Sequence, residues 1–279
     1  MFGLEAPSGG VGALRAWGQT AERSAGWIAA ADPLFLEASL NHLLAHRLSR
    51  DELPLADLDE VYRELNAALG GNSDGNGGSE FFHMGRCGYL RSATELQTAD
   101  VAPDAVYGEE LSHRLPGASD GADYHRLHSE VQMVLHQASI QARRAASGLR
   151  PINALWIWGG GVAPPVSQGA LPGLFAGDPL LRGYWYSRAG HVADWSGSLK
   201  ECAERADGSF VAQVPETPGA DDDPALTTAL EDLKILLDSG RLDSVSMLFR
   251  DGVTAHARRR FRWRWWRSEA PWLRTRDGR

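Results

Sequence analysis

The segment NALWIWGGG, residues 153–161, is the part of the sequence best suited to line a ligand site. Its first half is a short apolar run with β-branched and aromatic residues, which predicts a buried strand. Glycines directly after a strand let the backbone turn sharply or approach a ligand closely. In open α/β sheets, ligands bind outside the carboxyl ends of the strands. We therefore expect a pocket edge at these glycines, although a turn that makes room for tryptophan side chains would give the same pattern.

A helix predicted over residues 122–147 offers further polar groups beside this segment. Its apolar residues recur at a period of 3.6, and Glu130 and Gln132 flank the resulting stripe. They could reach an adjacent cleft, or they could only fix the helix to the glycine turn by hydrogen bonds. The candidate ligand-binding residues are therefore Glu130, Gln132, Asn153, Trp156, Trp158, Gly159, Gly160 and Gly161.

The same helix carries a group of histidines. His125, His128 and His136, together with Gln132, fall within about 80° of one another at helical spacing. Such a group could present imidazoles to a metal ion or a ligand, but a metal site would also need a nearby carboxylate or thiolate, and none is identifiable. We interpret this side of the helix as a solvated polar face and expect no metal site.

The C-terminal region combines basic and aromatic residues. Phe261, Trp263 and Trp265 alternate with arginines at the period of a strand. A basic-aromatic strand can bind nucleic acid by stacking and by phosphate contacts, or it can be an edge strand that arginines protect. The net charge of −8 favours the edge strand. The alternative nucleic-acid contacts are Arg258, Arg259, Arg260, Arg262, Arg264 and Arg267.

No motif of a known catalytic constellation is present. The sequence contains no GxSxG, HExxH or Walker lysine motif. The glycine-rich run at residues 70–79 follows a predicted helix and precedes a strand-like segment, which is the reverse of a phosphate-binding loop. We expect no cofactor and no catalytic residue that can be assigned.

The order of the predicted elements indicates an α/β fold with a layered mixed sheet and flanking helices. Residues 1–26 are rich in small residues and predict a poorly packed lead-in. Residues 27–279 predict a single domain with a flexible loop at 70–79. Asp32-Pro33 predicts a turn or a helix start. Asp223-Pro224 predicts a capped helix start, and Asp251-Gly252 predicts a hairpin.

Composition restricts where the chain works. Two cysteines do not form a disulfide framework and indicate a reducing compartment. The N-terminus lacks the pattern of a secretory signal, and the apolar runs are too short for a membrane span. We therefore expect a cytoplasmic protein with no membrane partner.

Four segments in order resemble the bacterial RpfE-type regulatory proteins. They are AADPLFL at 30–36, EVQMVLH at 130–136, INALWIWGGG at 152–161 and RFRWRWWR at 260–267. The chain departs from the family pattern at Phe35, where histidine is usual, and at Ala154, where serine is usual. The family is named for a gene cluster linked to regulation of pathogenicity factors in plant-associated bacteria, so the resemblance implies a regulatory label and not a mechanism.

The family is also distantly similar to cofactor-independent phosphoglycerate mutases of the alkaline-phosphatase superfamily. That similarity implies a reduced form of their fold. The enzymes need two metal ions held by Asp and His residues, but the N-terminal Asp-Gly-rich metal motif is not visible here. Asp251 and His256 lie five residues apart, where the enzymes space such a pair by four. The resemblance therefore implies the fold without its catalytic metals.

Three hypotheses follow. The first is a non-catalytic regulatory or accessory protein that binds a small molecule or a protein partner. The second is a metal-dependent phosphotransfer enzyme of the mutase type. The third is a nucleic-acid-binding regulator that uses the basic C-terminal segment.

Overall fold

The computed structural model describes residues 10–38, 43–71, 78–103, 114–117, 121–215, 223–249, 252–259 and 274–275. They belong to two compact units. The first unit comprises Met1–Gly169 and Pro179–Ala189, and the second comprises Ala170–Asp178 and Gly190–Arg279. The single domain expected over residues 27–279 is thus divided. Within the described ranges, every helix is too short or too polar to cross a membrane.

Among the described residues, the first unit contains five helices and five strands. In chain order they are α1 (Val11–Thr20), β1 (Trp27–Ala38), β2 (Leu43–Arg47), α2 (Leu55–Leu69), β3 (Glu80–Met84), β4 (Cys87–Ser92), α3 (Ala122–Gln137), α4 (Ile140–Ala146), β5 (Ala154–Val162) and α5 (Pro179–Ser187).

Strand β1 organises the sheet of the first unit. One edge of β1 pairs antiparallel with β5 from Trp27 to Leu34. The opposite edge pairs first with β4, from Trp27 to Ala30, and then with β2, from Leu34 onward. Strand β3 completes the sheet by pairing with β4. All of these strand pairs are antiparallel, and β1 is paired on both edges at Trp27, Ile28, Ala30 and Leu34.

The Asp32-Pro33 dipeptide lies in the middle of β1, so the predicted turn or helix start is wrong. Proline lacks an N–H and is tolerated in a sheet where no ladder hydrogen bond is required of it. On the β4 and β2 edge of β1, the recorded pairs stop at Ala30 and resume at Leu34. Pro33 falls in this gap, which explains how a central strand accommodates it.

The two faces of β1 are buried against different partners. Ala29 and Ala31 pack in a core with residues of α2, α3 and α4. Ala30 and Leu34 on the other face pack with Trp156 and Trp158 of β5. This period-2 alternation between two cores is what a strand buried on both faces requires.

Helix α1 corrects the expectation of a poorly packed N-terminal lead-in. Ala13 and Leu14 of α1 are completely buried and pack on Ile28 of β1 and Tyr89 of β4. The helix also contacts α5, where Trp17 stacks on Tyr186 with the ring centroids 6.3 Å apart. The small residues that suggested poor packing are those that allow close approach to the sheet and to α5.

The single helix predicted over residues 122–147 is broken into α3 and α4. Ala138 has an extended backbone conformation that ends α3, and α4 begins at Ile140. Buried residues of α3 include Tyr124, His128 and Val131. His128 therefore belongs to the apolar side of the helix, so the expected solvated histidine face is wrong at this residue.

Arg144 of α4 fixes that helix to the rest of the unit. Its side chain is 1% exposed and its Nη1 donates to Asp57 of α2 at 2.6 Å. The remaining guanidinium nitrogens donate to the backbone carbonyls of Glu52 and Arg150. A buried charge costs several kcal/mol unless it is paired and hydrogen-bonded, and Arg144 meets both conditions.

The described part of the second unit contains six strands and two helices. They are β6 (Gly173–Phe175), β7 (Val192–Ala193), α6 (Leu199–Arg205), β8 (Phe210–Ala212), α7 (Pro224–Ser239), β9 (Ser244–Leu248), β10 (Thr254–Arg258) and β11 (Arg274–Thr275). Strands β7, β6 and β8 form a parallel sheet in that order. Strands β9, β10 and β11 form an antiparallel sheet.

The predicted α/β class is confirmed, because helices flank both parallel and antiparallel sheets. The predicted cap of α7 is also confirmed, since the Asp223 side chain accepts from the N–H of Ala225 at 2.9 Å. Strands β9 and β10 form the predicted hairpin. Of the loop predicted at 70–79, residues 72–77 lie outside the described residues, and its flexibility stays a prediction.

The contact between α1 and α5 predicts that Gly183→Ala destabilises the protein. A Cβ at Gly183 would lie 1.8 Å from the carbonyl oxygen of Leu14. Helix propensity alone would favour alanine by about 1 kcal/mol, but overpacking against backbone costs about 1–3 kcal/mol. We expect a lower free energy of unfolding in urea titrations. Gly26→Ala, where the nearest heavy atom is 3.9 Å away, is the control and should change little. Equal stability of both variants would contradict the packing argument.

Burial of His128 predicts a pH-dependent loss of stability. Burial lowers the pKa of His128 from 6.5 to about 4. Between these values the unfolded chain binds a proton that the folded chain does not, so the free energy of unfolding falls as the pH falls. The full loss is up to ~3 kcal/mol. Glu52 titrates lower, because its hydrogen bond with Arg150 lowers its pKa from 4.5 to about 2.

Urea titrations between pH 6.5 and 4 measure this effect. His128→Gln should flatten the pH dependence across the window. His136→Gln, at an exposed position of the same helix, should leave it unchanged. An unaltered slope in the His128 variant would show that another group is responsible.

Candidate functional site

Asp32 bonds directly to Trp158 of the predicted site, and donors from three elements hold it. Its Oδ2 accepts from Nη1 of Arg15 on α1 at 2.7 Å and from the indole N–H of Trp158 on β5 at 2.8 Å. Its Oδ1 accepts from Nη2 of Arg15 at 2.9 Å and from the N–H of Gly88 on β4 at 3.2 Å. The side chains of Arg15 and Asp32 are only 10% and 14% exposed. Asp32 thus joins α1, β4 and β5 to β1.

Arg15 is fixed by more than its ion pair with Asp32. Its Nη2 also donates to the carbonyl of Gly88 at 2.6 Å, and its guanidinium lies 4.7 Å from the ring centroid of Tyr89. Burial is the largest single influence on Arg15 and lowers its pKa, but the charge of Asp32 and the hydrogen bonds to Asp32 act together with smaller contributions to raise the pKa above its usual value. The pairing with Asp32 therefore favours the charged form of Arg15.

The glycines of the candidate site lie inside β5 and do not follow it. Ile28 pairs with Gly161 and Ala30 pairs with Trp158, so Gly159 and Gly160 together face Ala29. This two-against-one register is a β-bulge. Gly159 has a φ of 60°, in the left-handed region that favours glycine in bulges. The expected strand end is wrong, because the bulge absorbs the glycines and pairing continues to Val162.

Protein atoms occupy the space beside these glycines. A Cβ at Gly159 would lie 2.9 Å from the side chain of Val11, and one at Gly160 would lie 2.3 Å from the indole ring of Trp27. The N–H of Gly160 donates to the hydroxyl of Thr98 at 2.9 Å. Because these glycines have no side chains, α1 and the ring of Trp27 can approach β5 closely. The alternative interpretation of the motif was that its glycines make room for tryptophan side chains, and Trp27 is such a side chain.

The other β5 residues of the candidate site bond to neighbouring backbone. Asn153 accepts from the N–H of Leu36 at 2.7 Å and donates to its carbonyl at 2.8 Å, so its side chain extends the pairing of β1. Trp156 is completely buried and its indole donates to the carbonyl of Val101 at 2.9 Å. These contacts join β5 to the chain segments on either side of it.

The two α3 residues of the candidate site bond within their own helix. Nε2 of Gln132 lies 3.2 Å from Nδ1 of His128, within hydrogen-bond distance. Glu130 is 34% exposed and lies 3.5 Å from Arg126. Their role in a ligand site stays a prediction.

The arginines of the nucleic-acid hypothesis are only partly described. Arg258 and Arg259 are exposed at the end of β10. Arg260, Arg262, Arg264 and Arg267 lie outside the described residues. In the part of the chain that the structure describes, no three His, Cys, Asp or Glu side chains are grouped as metal ligands would be.

Sequence reasoning missed the central role of Arg15 and Asp32. The small residues of segment 1–26, which contains Arg15, predict a poorly packed lead-in, and the Asp32-Pro33 dipeptide predicts a turn. A usable signal was present, because a lone carboxylate inside the apolar run at residues 28–36 must find a partner if the run is buried.

The Arg15–Asp32 pair predicts strong coupling between two substitutions. Arg15→Met leaves the buried carboxylate without its charge partner, which costs about 3–5 kcal/mol of stability. Asp32→Asn should also destabilise the protein. In the double variant the losses should be less than additive by about 1–3 kcal/mol, as for residues in one network. Urea denaturation of the four proteins measures this coupling, and additive losses would contradict the described pair.

Comparison with known proteins gives a partial match to one enzyme family. No family model matches the sequence. The chain is 31% identical over 68 residues to the 2,3-bisphosphoglycerate-independent phosphoglycerate mutase of Methanosarcina mazei, which is 24% of this chain and 17% of that protein. It is 35% identical over 63 residues to 2,3-bisphosphoglycerate-independent phosphoglycerate mutase 2 of Methanothermobacter thermautotrophicus, which is 22% of this chain and 16% of that protein.

Two solved structures superpose on the chain with TM-scores below 0.5. The cofactor-independent phosphoglycerate mutase of Thermoplasma acidophilum superposes with a TM-score of 0.41 at 17% identity, over 76% of this chain and 61% of that one. The PH0037 protein of Pyrococcus horikoshii superposes with a TM-score of 0.49 at 15% identity, over 84% and 61%. The chain spans about a sixth of the length of the curated relatives it matches. The expected distant similarity to phosphoglycerate mutases is confirmed over the 63 to 68 residues of this chain that align with them.

Proposed function

We propose that this protein is a non-catalytic regulatory or accessory protein, which acts by binding a protein partner or a small molecule. The observation that carries the proposal is the complete engagement of Asp32. An ionised carboxylate has about four acceptor sites on its two oxygens. Arg15 fills two of them, and Trp158 and Gly88 fill one each.

A carboxylate that serves as a base, a nucleophile or a metal ligand needs an acceptor site directed at the substrate or metal. At Asp32 those sites are taken by donors from α1, β4 and β5. The adjacent glycines are covered by Val11 and Trp27. These contacts support a structural role for Asp32 on β1 and for the neighbouring glycines of β5, in place of a ligand-binding or catalytic role.

The resemblance to RpfE-type proteins supports the regulatory part of the proposal. It rests on segments that lie on three described elements, namely 30–36 on β1, 130–136 on α3 and 152–161 on β5. With this resemblance we propose a bacterial protein that works in the cytoplasm. Its partner would contact surface residues and would leave the Asp32 cluster intact.

The proposal predicts that Asp32→Asn lowers the stability of the protein and changes no enzymatic activity. The variant should lower the melting temperature, because a neutral amide replaces the charge partner of Arg15 and presents an N–H₂ to donors. Neither the wild-type protein nor the variant should hydrolyse or transfer phosphate from a panel of phosphate esters with Mn²⁺ or Zn²⁺ present. Turnover of a phosphate ester by the wild-type protein would overturn the proposal, and an unchanged melting temperature in Asp32→Asn would contradict the structural role of Asp32.

The second candidate function is metal-dependent phosphotransfer. It is favoured by the 31–35% identity to phosphoglycerate mutases over 63 to 68 aligned residues. If it holds, the protein interconverts 2- and 3-phosphoglycerate when a divalent metal is added, and a chelator abolishes the activity. Asp232→Asn and Asp57→Asn serve as controls for Asp32→Asn, because those carboxylates lie elsewhere in the structure and are also buried.

A further inference from the structure

Strand β9 forms one edge of the antiparallel sheet in the second unit, because the strand order is β11, β10, β9. In an antiparallel pair, alternate residues turn their N–H and C=O groups toward the neighbouring strand. The N–H of Arg259 donates to the carbonyl of Asp243 at 2.8 Å, so the odd-numbered residues that follow Asp243 bond to β10. The even-numbered residues of β9 direct their backbone groups away from the sheet, and they are Ser244, Ser246 and Leu248.

The outer edge of β9 lacks the features that usually protect an edge strand. Proteins block such edges with charged side chains, proline, a bulge or a covering segment. Strand β9 has the sequence SVSML, without a charged residue or proline, and its register with β10 contains no bulge. Among the described residues, none makes a backbone hydrogen bond to this outer edge. The edge can therefore accept an additional strand, a mode of binding in which main-chain hydrogen bonds supply the affinity.

The two faces of β9 are different. Val245 and Met247 pack on the apolar core formed by α6 and α7. The opposite face is exposed, and on it the hydroxyl of Ser246 lies 2.8 Å from Nδ1 of His256 on β10. Leu248 on this exposed face is 65% exposed. An added strand would place every second side chain on the same face, beside Ser246 and Leu248.

The exposed face of the β9–β10 hairpin is basic at one end and apolar at the other. Arg258 pairs with Ser244 in the register of the two strands and is exposed. The other residues of this face on the two strands carry no carboxylate, and Leu248 lies at the opposite end. Asp243 and Arg259 occupy odd-numbered positions and therefore belong to the other face. A negative charge on an added strand is thus favoured beside Ser244, and an apolar side chain beside Leu248.

We propose that the free edge of β9 binds an extended acidic peptide segment of a protein partner, which adds to the sheet as an antiparallel strand. The backbone of the peptide pairs with Ser246, and an apolar side chain covers Leu248. Its carboxylates lie beside Ser244, about 10 Å or two strand spacings from β10, a gap that the long side chains of Arg258 and a glutamate can bridge. The inference rests on the proposed function, because it names the chemistry of a protein partner that this function can use.

A fluorescein-labelled peptide of sequence TVTVTETE is a suitable probe, with TVTVTKTK as its basic counterpart. In an antiparallel pair the C-terminal glutamates lie at the Ser244 end of β9. Fluorescence anisotropy with the full-length protein should show saturable binding of the acidic peptide and at least tenfold weaker binding of the basic one. Absence of saturable binding, or equal binding of the two peptides, would overturn the proposal.

Methylation of single peptide nitrogens tests the backbone pairing without altering the protein. N-methylation of the second valine of TVTVTETE removes an N–H that bonds to β9 and should weaken binding at least tenfold. N-methylation of the threonine that follows it removes an N–H directed away from β9 and should change binding little. Equal effects of the two methyl groups would show that the peptide does not bind as a strand.

Substitutions on the hairpin locate the binding edge. Ser246→Pro removes an N–H that β10 does not use, so the sheet tolerates it, but binding of TVTVTETE should weaken at least tenfold. Arg258→Ala should weaken binding at least threefold. Lys234→Ala removes an exposed cation of α7 and should leave binding unchanged. Circular dichroism verifies that each variant is folded, and unchanged binding in folded Ser246→Pro would contradict the assignment to this edge.

Two other occupants of the edge are distinguished by the same proteins. Tight binding of a single-stranded oligothymidine in place of TVTVTETE would overturn the proposal in favour of nucleic acid. A dimer in sedimentation experiments that Ser246→Pro dissociates, with no peptide bound, would overturn it in favour of a second copy of this chain. Turnover of phosphate esters bears only on the proposed function, so its failure and the failure of peptide binding are separate results.

Discussion

The need to neutralise one carboxylate in the middle of a buried strand governs the first unit. Asp32 lies on β1 between two cores, where an unpaired charge would cost many kcal/mol. Arg15 supplies the opposite charge from α1, and donors from β4 and β5 complete the bonding. The four elements are therefore positioned by a single side chain as well as by apolar burial. Because hydrogen bonds are directional, the pair fixes the rotation of α1 in a way that contacts among Ala13, Leu14 and Ile28 alone would not.

Elements whose signals are local were predictable from the sequence. The cap at Asp223-Pro224 and the hairpin between β9 and β10 depend on residues that are neighbours in the chain. The strand character of residues 154–158 depends on their apolar run, which decides burial wherever the strand pairs. The α/β class follows from the order of such elements, and the structure agrees with it.

The candidate site could not be predicted, because its contacts join residues far apart in sequence. The prediction for Gly159–Gly161 depends on a rule that holds at the carboxyl ends of parallel strands, whereas β5 pairs antiparallel with β1. In this antiparallel pair the glycines form a bulge within the strand. His128 was assigned by helical spacing to a polar face, but its ring stacks on Tyr124, with 5.8 Å between centroids, and is buried with it. Side-chain type is a weak guide to burial when a ring can stack.

The interleaving of the two units also determines the order in which they can be completed during synthesis. The first unit takes α5 from Pro179–Ala189, after the chain has already contributed Ala170–Asp178 to the second unit. Arg182 on α5 donates to the carbonyl of Gly18 at the end of α1, across 164 residues. Domains generally fold as units while the chain emerges from the ribosome. Here α1 is translated long before its helical partner α5, and the face of α1 that packs on α5 stays uncovered until α5 has been made.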